Sequence, residues 1–321
     1  MANDKPLLYL SEETLEALNI TTEEVIQSIS HLIVGQAENK VWQTPKCVIQ
    51  PGDGRYMMST LSAADQPDYL AVKSVILNPA NPEKGLPQIN GLIMILDSDT
   101  GVPRAIVDGN WVTGIRTAGA SAVVASKLAR KDSESVAFIG CGVQAQCHLK
   151  LLADMFPLRS VHAFGRGETN RQNLCNLAES LGLQAHDHTE AKACVEDADI
   201  IISSVTMTVK IDPFVDPAWL KPGVFVSSTD MAIPFMPENM NVFDQIIIDD
   251  QAQEESMADP MVAKDLISGD ITGLLTDKAK LRQSEDERHA FIFRAVGLGD
   301  LALSALAYDK ALEKGMGIRL G

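Results

Sequence analysis

The sequence predicts an α/β protein with a doubly wound parallel sheet and a second, α+β domain. Two observations carry this prediction. Between residues 135 and 249, apolar runs recur without polar alternation, which is typical of parallel strands covered on both faces. In the first hundred residues, strand-like segments are separated by Pro, Gly, Asn and Asp clusters. The chain is long enough for both domains.

The N-terminal part begins with two helices, because Ser11 and Thr21 are hydroxyl caps followed by acidic residues. Four strands are expected after them, at residues 46–49, 55–60, 70–76 and 91–97. The stretch 97–101 has hairpin-turn composition and leads into a further strand, 103–108. A helix of small residues from Thr117 then connects to the parallel sheet.

The parallel sheet is expected to begin at residues 135–139 and to continue through 160–164, 199–204, 223–229 and 245–249. The last stretch, 295–308, is rich in Gly and Ala and predicts a helix that runs back to the first domain.

A glycine-spaced turn follows the first of these parallel strands. Gly140 permits a tight turn, Gly142 lets backbone N–H groups approach a pyrophosphate, and the small Ala145 lets the next helix pack close to the strand. The N-terminus of that helix, at Val143 and Gln144, then faces the phosphate charge. The order of strand, glycine turn and helix indicates a Rossmann domain that binds a dinucleotide.

The end of the second strand favours NADPH over NADH. NAD-binding domains carry an acidic residue there, which bonds the ribose 2′-hydroxyl. This chain has Gly165-Arg166-Gly167, followed by Thr169 and Arg171. Arg166 can fork onto a 2′-phosphate, and the alternative is a solvent-exposed arginine in a turn. NADH is the alternative cofactor.

Composition excludes several partners. The formal net charge of −16 disfavours nucleic acid and anionic membranes. Five cysteines, an odd number without a CxxC pair, indicate reduced thiols in a cytoplasmic protein and no metal site. We expect no signal peptide and no membrane span.

The otherwise apolar strands of the first domain contain cations, namely Lys46, Lys73 and Arg116, the last of which precedes the connecting helix. A lysine that points toward a core is costly unless it meets an anion, and a substrate carboxylate would be one. Each of these side chains could instead face water, which is the commoner outcome for a lysine.

The chain resembles the ornithine cyclodeaminase and mu-crystallin family nearly end to end. The resemblance is carried by Ala71-Val72-Lys73, by residues 101–109, by Thr113-Gly114-Ile115-Arg116-Thr117-Ala118-Gly119, and by the glycine turn. It implies a homodimer in which residues 1–118 and 297–321 form a substrate-binding and dimerisation domain. Residues 119–296 would form the Rossmann NAD(P)-binding domain.

The resemblance also implies roles for individual residues. Lys73 and Arg116 would bind the substrate carboxylate, and Lys46 matches a position where arginine is frequent. Asp230 matches the acidic residue that acts near the substrate nitrogen, so Lys73 and Asp230 are the catalytic candidates. The relatives' Gly-Lys-Xaa-Glu after Asp230 is replaced here by residues 232–236, and a helix cap or turn is the alternative role for Asp230. The cofactor-binding candidates are Arg116, Thr117, Gly140, Gly142, Val143, Gln144, Arg166, Thr169, Arg171, Thr206 and Asp230.

The sequence-based hypothesis is NAD(P)H-dependent reduction of the cyclic imine Δ1-pyrroline-2-carboxylate to L-proline. The six-membered analogue, Δ1-piperideine-2-carboxylate, is a second candidate substrate and would give L-pipecolate. Three alternatives remain: an NAD-dependent ornithine cyclodeaminase, an alanine dehydrogenase, and a crystallin-like protein that holds NADPH without turnover.

Overall fold

The computed structural model describes residues 6–206 and 211–320, and in it the chain divides into two compact units. The first unit comprises the chain up to Arg116 together with the segment from Gly297 onward. The second unit comprises residues 117–296.

The first unit contains a mixed sheet. Its strands are β1 (Leu7–Leu10), β2 (Val41–Gln43), β3 (Cys47–Ile49), β4 (Tyr56–Ala64), β5 (Tyr69–Leu77), β6 (Ile89–Asp97), β7 (Pro103–Asp108) and β16 (Ile318–Leu320). Their order is β16-β1-β7-β6-β5-β4-β2, and β3 also pairs with β4. The strands β4 to β7 form antiparallel pairs, and β1 joins β7 in parallel.

Helix α9 (Leu298–Lys314) covers one face of this sheet and packs against β4 to β7. Helix α2 (Thr22–Ala37) packs against α9 and β2, and the short helix α1 (Glu12–Ala17) precedes α2 in the chain. Ser11 and Thr21 cap α1 and α2 as predicted, and Thr21 forms a reciprocal capping box with Glu24. The alternation along β5 buries Ala71, Lys73 and Val75 on the face that α9 contacts. Lys73 therefore points inward from the strand.

The helix α3 (Gly109–Leu128) links the two units along the chain. The sequence predicts that this helix starts at Thr117, which is wrong, because the helix starts eight residues earlier, at Gly109. The carboxylate of Asp108 accepts a hydrogen bond from the N–H of Trp111 at 2.8 Å, so the helix begins directly after β7. Thr113 and Arg116 consequently lie on α3 rather than before it.

The second unit is a parallel sheet with helices between successive strands. Its strands are β8 (Ser135–Ile139), β9 (Ser160–Phe164), β10 (Gln184–Asp187), β11 (Ile200–Ser203), β12 (Phe225–Ser228), β13 (Gln245–Ile248), β14 (Ile267–Asp270) and β15 (His289–Ile292). Their order is β10-β9-β8-β11-β12-β15-β13-β14, and every pair is parallel. The helices are α4 (Val143–Met155), α5 (Glu168–Ser180), α6 (Ala191–Val195), α7 (Gln251–Glu255) and α8 (Ile271–Leu275).

This arrangement confirms the predicted fold class. The strands β11, β12 and β13 are buried along their whole length, as their apolar composition predicts. The strand β15, which the sequence analysis did not predict, is buried as well. The strand order reverses at β8, so the carboxyl ends of β8 and β11 meet at the position where such sheets bind ligands. Among the described residues, no helix has the length and apolar character that a membrane crossing requires.

Candidate active site

The glycine turn lies at the carboxyl end of β8. Gly140 has a φ of +90°, and a Cβ at this position would lie 2.7 Å from the carbonyl oxygen of Ser204, which follows β11. Its N–H donates to the carbonyl of Phe164 at the end of β9. Both the backbone conformation and the close approach require glycine. Gly140 thus joins the ends of three neighbouring strands.

Gly142 has a different reason to be glycine. It stands at the N-cap of α4, and an added Cβ would meet no protein atom within 4 Å. The space beside it is therefore open to a ligand, and the first N–H groups of α4 have no partner within their own helix. Val143, the first residue of α4, is exposed, and the small Ala145 is buried, as expected where a helix packs closely. The turn fits a dinucleotide.

The turn after β9 carries the candidate 2′-phosphate residues. Arg166 is exposed, and no hydrogen bond or ion pair joins its side chain to the described part of the chain. Thr169 is exposed in the first turn of α5. Arg171 is held: its Nε lies 2.6 Å from a carboxylate oxygen of Asp187, and its Nη1 donates to the carbonyl of Gly165 at 2.6 Å. Arg171 fixes the shape of this turn, and Arg166 is the cation that it presents.

Two other cofactor candidates lie on different elements of the second unit. Thr206 is exposed and follows β11 by three residues. Thr117 is buried on α3, and its carbonyl accepts a hydrogen bond from Ser121 at 3.3 Å. Ser121 in turn accepts from Ser227 on β12 at 2.8 Å.

Asp230 follows β12 and is buried. One carboxylate oxygen accepts from the Ser203 hydroxyl at 2.6 Å and from the N–H of Val205 at 2.8 Å, and the other accepts from the Ser228 hydroxyl at 2.5 Å. These bonds tie the carboxyl ends of β11 and β12 together. Burial raises the pKa of Asp230 above its ordinary value, although these hydrogen bonds oppose the rise.

The residues after Asp230 are conformationally unusual. Met231 and Ala232 both have φ near +60°, a region that favours glycine. Ala232 is also the first residue of the segment 232–236, which departs from the pattern that the resemblance implies after Asp230. The N–H of Ala232 donates to the Ser228 hydroxyl, which also donates to Asp230. This turn and the Asp230 carboxylate therefore share one hydrogen-bond network.

A buried ionic cluster lies in the first unit, where β5, α3 and α9 converge. The Lys73 ammonium donates to a carboxylate oxygen of Asp300 at 2.9 Å and to the Thr113 hydroxyl at 2.6 Å. The Nε of Arg116 lies 3.2 Å from the same Asp300 oxygen. Side-chain exposure is 1% for Lys73, 5% for Arg116 and 2% for Asp300. The lysine does meet an anion, and this anion belongs to the chain itself.

Burial and charge act in opposite directions on this cluster. Burial lowers the pKa of Lys73 to about 8, although the Asp300 carboxylate opposes that change. Burial alone would raise the pKa of Asp300, but the charges of Lys73 and Arg116 outweigh it and hold that pKa below its ordinary value. One carboxylate is thus shared by two buried cations, which leaves the three side chains with one net positive charge.

Lys46 is half-buried and directly precedes β3. Its charge also contributes to the lowered pKa of Asp300, so it acts electrostatically on the same cluster. The structure therefore places Lys73 and Arg116 against the Asp300 carboxylate, and Lys46 influences that carboxylate through its charge.

Asp300 and Thr113 are the site residues that sequence reasoning missed. Asp300 is the third residue of α9, where an acidic residue is ordinary because it interacts favourably with the helix N-terminus. The signal that the sequence offered was a single charged residue in an otherwise uncharged segment, Gly297-Leu298-Gly299-Asp300-Leu301-Ala302. In the structure, all six of these residues are buried.

The family assignment follows from the match of a family profile to residues 6–315, which is almost the entire described chain. The chain belongs to the ornithine cyclodeaminase/mu-crystallin family. Among curated family members, it is 28% identical to the alanine dehydrogenase of Archaeoglobus fulgidus over 98% of each chain. It is 26% identical to a Delta(1)-pyrroline-2-carboxylate reductase of Bacillus cereus, with 81% of this chain and 82% of that one covered.

Among solved structures, the Thermococcus litoralis Delta(1)-pyrroline-2-carboxylate reductase in complex with NADH and L-proline superposes with a TM-score of 0.87. The two chains are 26% identical, and the match covers 98% of this chain and all of that one. An archaeal alanine dehydrogenase dimer with bound NAD shares the fold at a TM-score of 0.86 and 24% identity, over 98% of this chain and 99% of that one.

Proposed function

We propose that this chain is an NAD(P)H-dependent ketimine reductase that converts Δ1-pyrroline-2-carboxylate to L-proline. The buried cluster of Lys73, Arg116 and Asp300 carries the proposal. These three side chains carry one net positive charge in a buried site, and the negative charge of a monocarboxylate complements it. The glycine turn at Gly140 and Gly142 supplies a dinucleotide site in the same chain. The named relatives include reductases of this imine.

The proposed roles follow from the chemistry of each group. The planar guanidinium of Arg116 and the ammonium of Lys73 orient the substrate carboxylate. When bound, the dinucleotide provides the hydride that the imine carbon accepts. Reduction requires a protonated imine nitrogen, and Lys73, with a pKa of about 8, is largely protonated at neutral pH and can supply or stabilise that proton.

Asp230 is proposed as a second group that acts near the substrate nitrogen. Its pKa lies above the ordinary range for an aspartate because the side chain is buried. Its two oxygens already accept bonds from Ser203, Ser228 and Val205, which hold the carboxylate in one orientation.

NADPH is the proposed cofactor, with NADH as the alternative. The support is the exposed Arg166, which the turn after β9 presents to solvent. Arg171 holds the same turn through Asp187 and Gly165. A guanidinium at this position complements a 2′-phosphate.

The deciding experiment compares three reactions with purified protein. Δ1-Pyrroline-2-carboxylate is offered with NADPH or NADH, L-ornithine is offered with NAD, and pyruvate is offered with ammonia and NADH. We expect nucleotide oxidation with proline formed in the first reaction only. Ammonia and proline from ornithine would instead indicate a cyclodeaminase, and alanine from pyruvate an alanine dehydrogenase. Cofactor binding without turnover in all three would indicate a binding protein.

A matched pair of variants links the activity to the cluster. Lys73→Met removes the buried ammonium, and we expect it to lower kcat/KM for the imine by about a hundredfold or more, as loss of a charged ligand group does. Lys127→Met removes a lysine near the end of α3, outside the cluster. It should leave the reaction unchanged. Equal activity of Lys73→Met and wild type would contradict the assigned role.

A further inference from the structure

Asp300 is the one acidic residue of the buried cluster, and its place in the fold is specific. It lies in the first turn of α9, and its carboxylate reaches Lys73 on β5 and Arg116 on α3 through the same oxygen. The other oxygen lies 3.5 Å from the Thr60 hydroxyl on β4. Asp300 thus connects four elements of the first unit.

The first turn of α9 leaves room for the Arg116 side chain. A Cβ on Gly299 would lie 3.1 Å from the Cβ of Arg116 and 3.2 Å from its Cδ, which is tighter than ordinary packing. Glycine at this position lets the Arg116 side chain pass close to the helix. The carboxylate of the next residue, Asp300, can then approach the Nε of Arg116 from the helix N-terminus.

We propose that Asp300 is a positioning residue: its carboxylate holds the Lys73 and Arg116 side chains together and keeps Lys73 protonated, so that the site selects a monocarboxylate substrate. This inference rests on the proposed function and assigns a residue to it. Without the Asp300 charge, two cations would face each other in a buried site. The lysine would then lose its proton more readily, because the Arg116 charge disfavours the ammonium and the Asp300 charge would no longer oppose this effect.

Among the described residues, the charged and polar groups that act on Lys73 come from α3 and α9. Arg116 and Thr113 face it from α3, and Asp300 faces it from α9. Lys46, which precedes β3, acts on Asp300 through its charge. Asp300 is the only one of these groups that favours the protonated lysine by its charge, among the described residues that act on Lys73. Removing that charge should therefore lower the pKa of Lys73.

The test is the pH profile of Asp300→Asn. With NADPH saturating, kcat/KM for Δ1-pyrroline-2-carboxylate is measured from about pH 6 to about pH 10. We expect the alkaline limb to move down by about one unit or more. At pH 8 the loss relative to wild type would then be about fivefold or more greater than at pH 6, and it would approach tenfold or more well above pH 8. An unmoved limb, or the same fractional loss at every pH, would overturn the proposal, since a merely structural role gives no pH dependence.

Two further variants complete this design. Asp309→Asn is the matched control, because Asp309 lies on α9 and accepts a hydrogen bond from Tyr69, and it should keep the wild-type limb. Asp300→Glu retains the charge but lengthens the side chain. Its limb should stay near that of wild type while KM for the imine rises. If Asp300→Asn does not fold, the proposal is tested with Asp300→Glu alone. An unchanged KM of Asp300→Glu for the imine would then overturn the proposal.

Ligand binding separates this inference from the proposed function. Pyrrole-2-carboxylate is a planar five-membered ring with the same carboxylate, and its binding is measured by calorimetry without dinucleotide. Weaker binding to Asp300→Asn at pH 8 than at pH 6, relative to wild type, supports the role of Asp300 even if wild type reduces no cyclic imine. A wild type that reduces the imine, with an unchanged profile in Asp300→Asn, retains the function and rejects the role.

Discussion

At the scale of single residues, a lysine on the buried face of a strand carries the chemistry of the first unit. The period of two along β5 places Lys73 with Ala71 and Val75, and the strand is predictable from its composition. The cost of burying an ammonium predicts that an anion lies nearby. The expected anion was the substrate carboxylate, and in the structure the Asp300 carboxylate also forms an ion pair with Lys73.

The lowered pKa of Lys73 predicts how activity depends on pH. Burial brings it to about 8, so the side chain is protonated below that pH and loses its charge above it. If the ammonium binds the carboxylate, wild-type kcat/KM for the imine should fall as the pH rises through about 8. The measurement is a steady-state pH profile at saturating NADPH.

Lys73→Arg is the control for this pH dependence. A guanidinium stays protonated to above about pH 12, so the alkaline limb should disappear from the residual activity of this variant. A limb that persists unchanged in Lys73→Arg would show that the substrate, or another group of the protein, titrates instead.

The sequence could reveal Lys73 and Arg116 but not their common partner. Lys73 and Asp300 are separated by 227 positions in the chain, and no local pattern reports such a contact. Asp300 also stands where an ordinary helix start has an acidic residue. Long-range pairing of charges depends on how α9 returns to the sheet, and a single sequence does not contain that information in readable form.

At the scale of elements, the glycine turn offers two substitutions with opposite consequences. Gly140→Ala places a Cβ 2.7 Å from a backbone oxygen at a φ of +90°, and we expect it to lower the free energy of unfolding by about 2–3 kcal/mol. Gly142→Ala meets no protein atom within 4 Å. It should fold normally and weaken NADPH binding by about tenfold or more, because the methyl group would occupy the phosphate position.

Chemical denaturation and fluorescence titration with NADPH measure these two quantities on the same samples. The expected result is a separation of effects, with stability lost in one variant and affinity in the other. Undiminished NADPH affinity in Gly142→Ala would contradict the placement of the pyrophosphate at the N-terminus of α4.

The turn after β9 yields a prediction about cofactor choice. Arg166→Ala removes the exposed guanidinium, and KM for NADPH should rise by about tenfold or more while KM for NADH changes little. Arg171→Met is the informative comparison, since Arg171 holds the carbonyl of Gly165 and the carboxylate of Asp187. Loss of that support should affect both cofactors. Equal effects of Arg166→Ala on both would reject the 2′-phosphate assignment.

Elements were predictable to different degrees. The strands β8 and β9 have the bounds that their composition predicts, 135–139 and 160–164, because continuous apolar runs flanked by turns leave little ambiguity. The start of α3 was not predictable from its small residues. It depends on the Asp108 carboxylate, which accepts a hydrogen bond from the N–H of Trp111. In the sequence, Asp108 is predicted only as the last residue of a strand. A residue that both ends a strand and caps the following helix has no sequence pattern that distinguishes it from an ordinary strand end.

At the scale of the whole molecule, the sheet of the first unit has a second face that its helices do not cover. Cross-strand neighbours Leu61, Val72, Met94 and Ile106 form one apolar row across β4 to β7, on the face opposite Lys73. Leu92, on the same face of β6, is also exposed. A contiguous apolar patch of this kind marks an interface. We expect a second copy of the chain to cover it, as the family resemblance implies for a homodimer.

Met94→Glu tests this interface, because it places a charge at the centre of the apolar row and burial of an unpaired charge opposes association. Light scattering after size-exclusion chromatography should give twice the 34.7 kDa chain mass for wild type and the single-chain mass for the variant. Leu181→Glu is the matched control, since Leu181 is 44% exposed and Met94 43%, but Leu181 lies in the second unit. It should remain dimeric. Circular dichroism and NADPH binding verify that both variants fold, and a dimeric Met94→Glu would place the interface elsewhere.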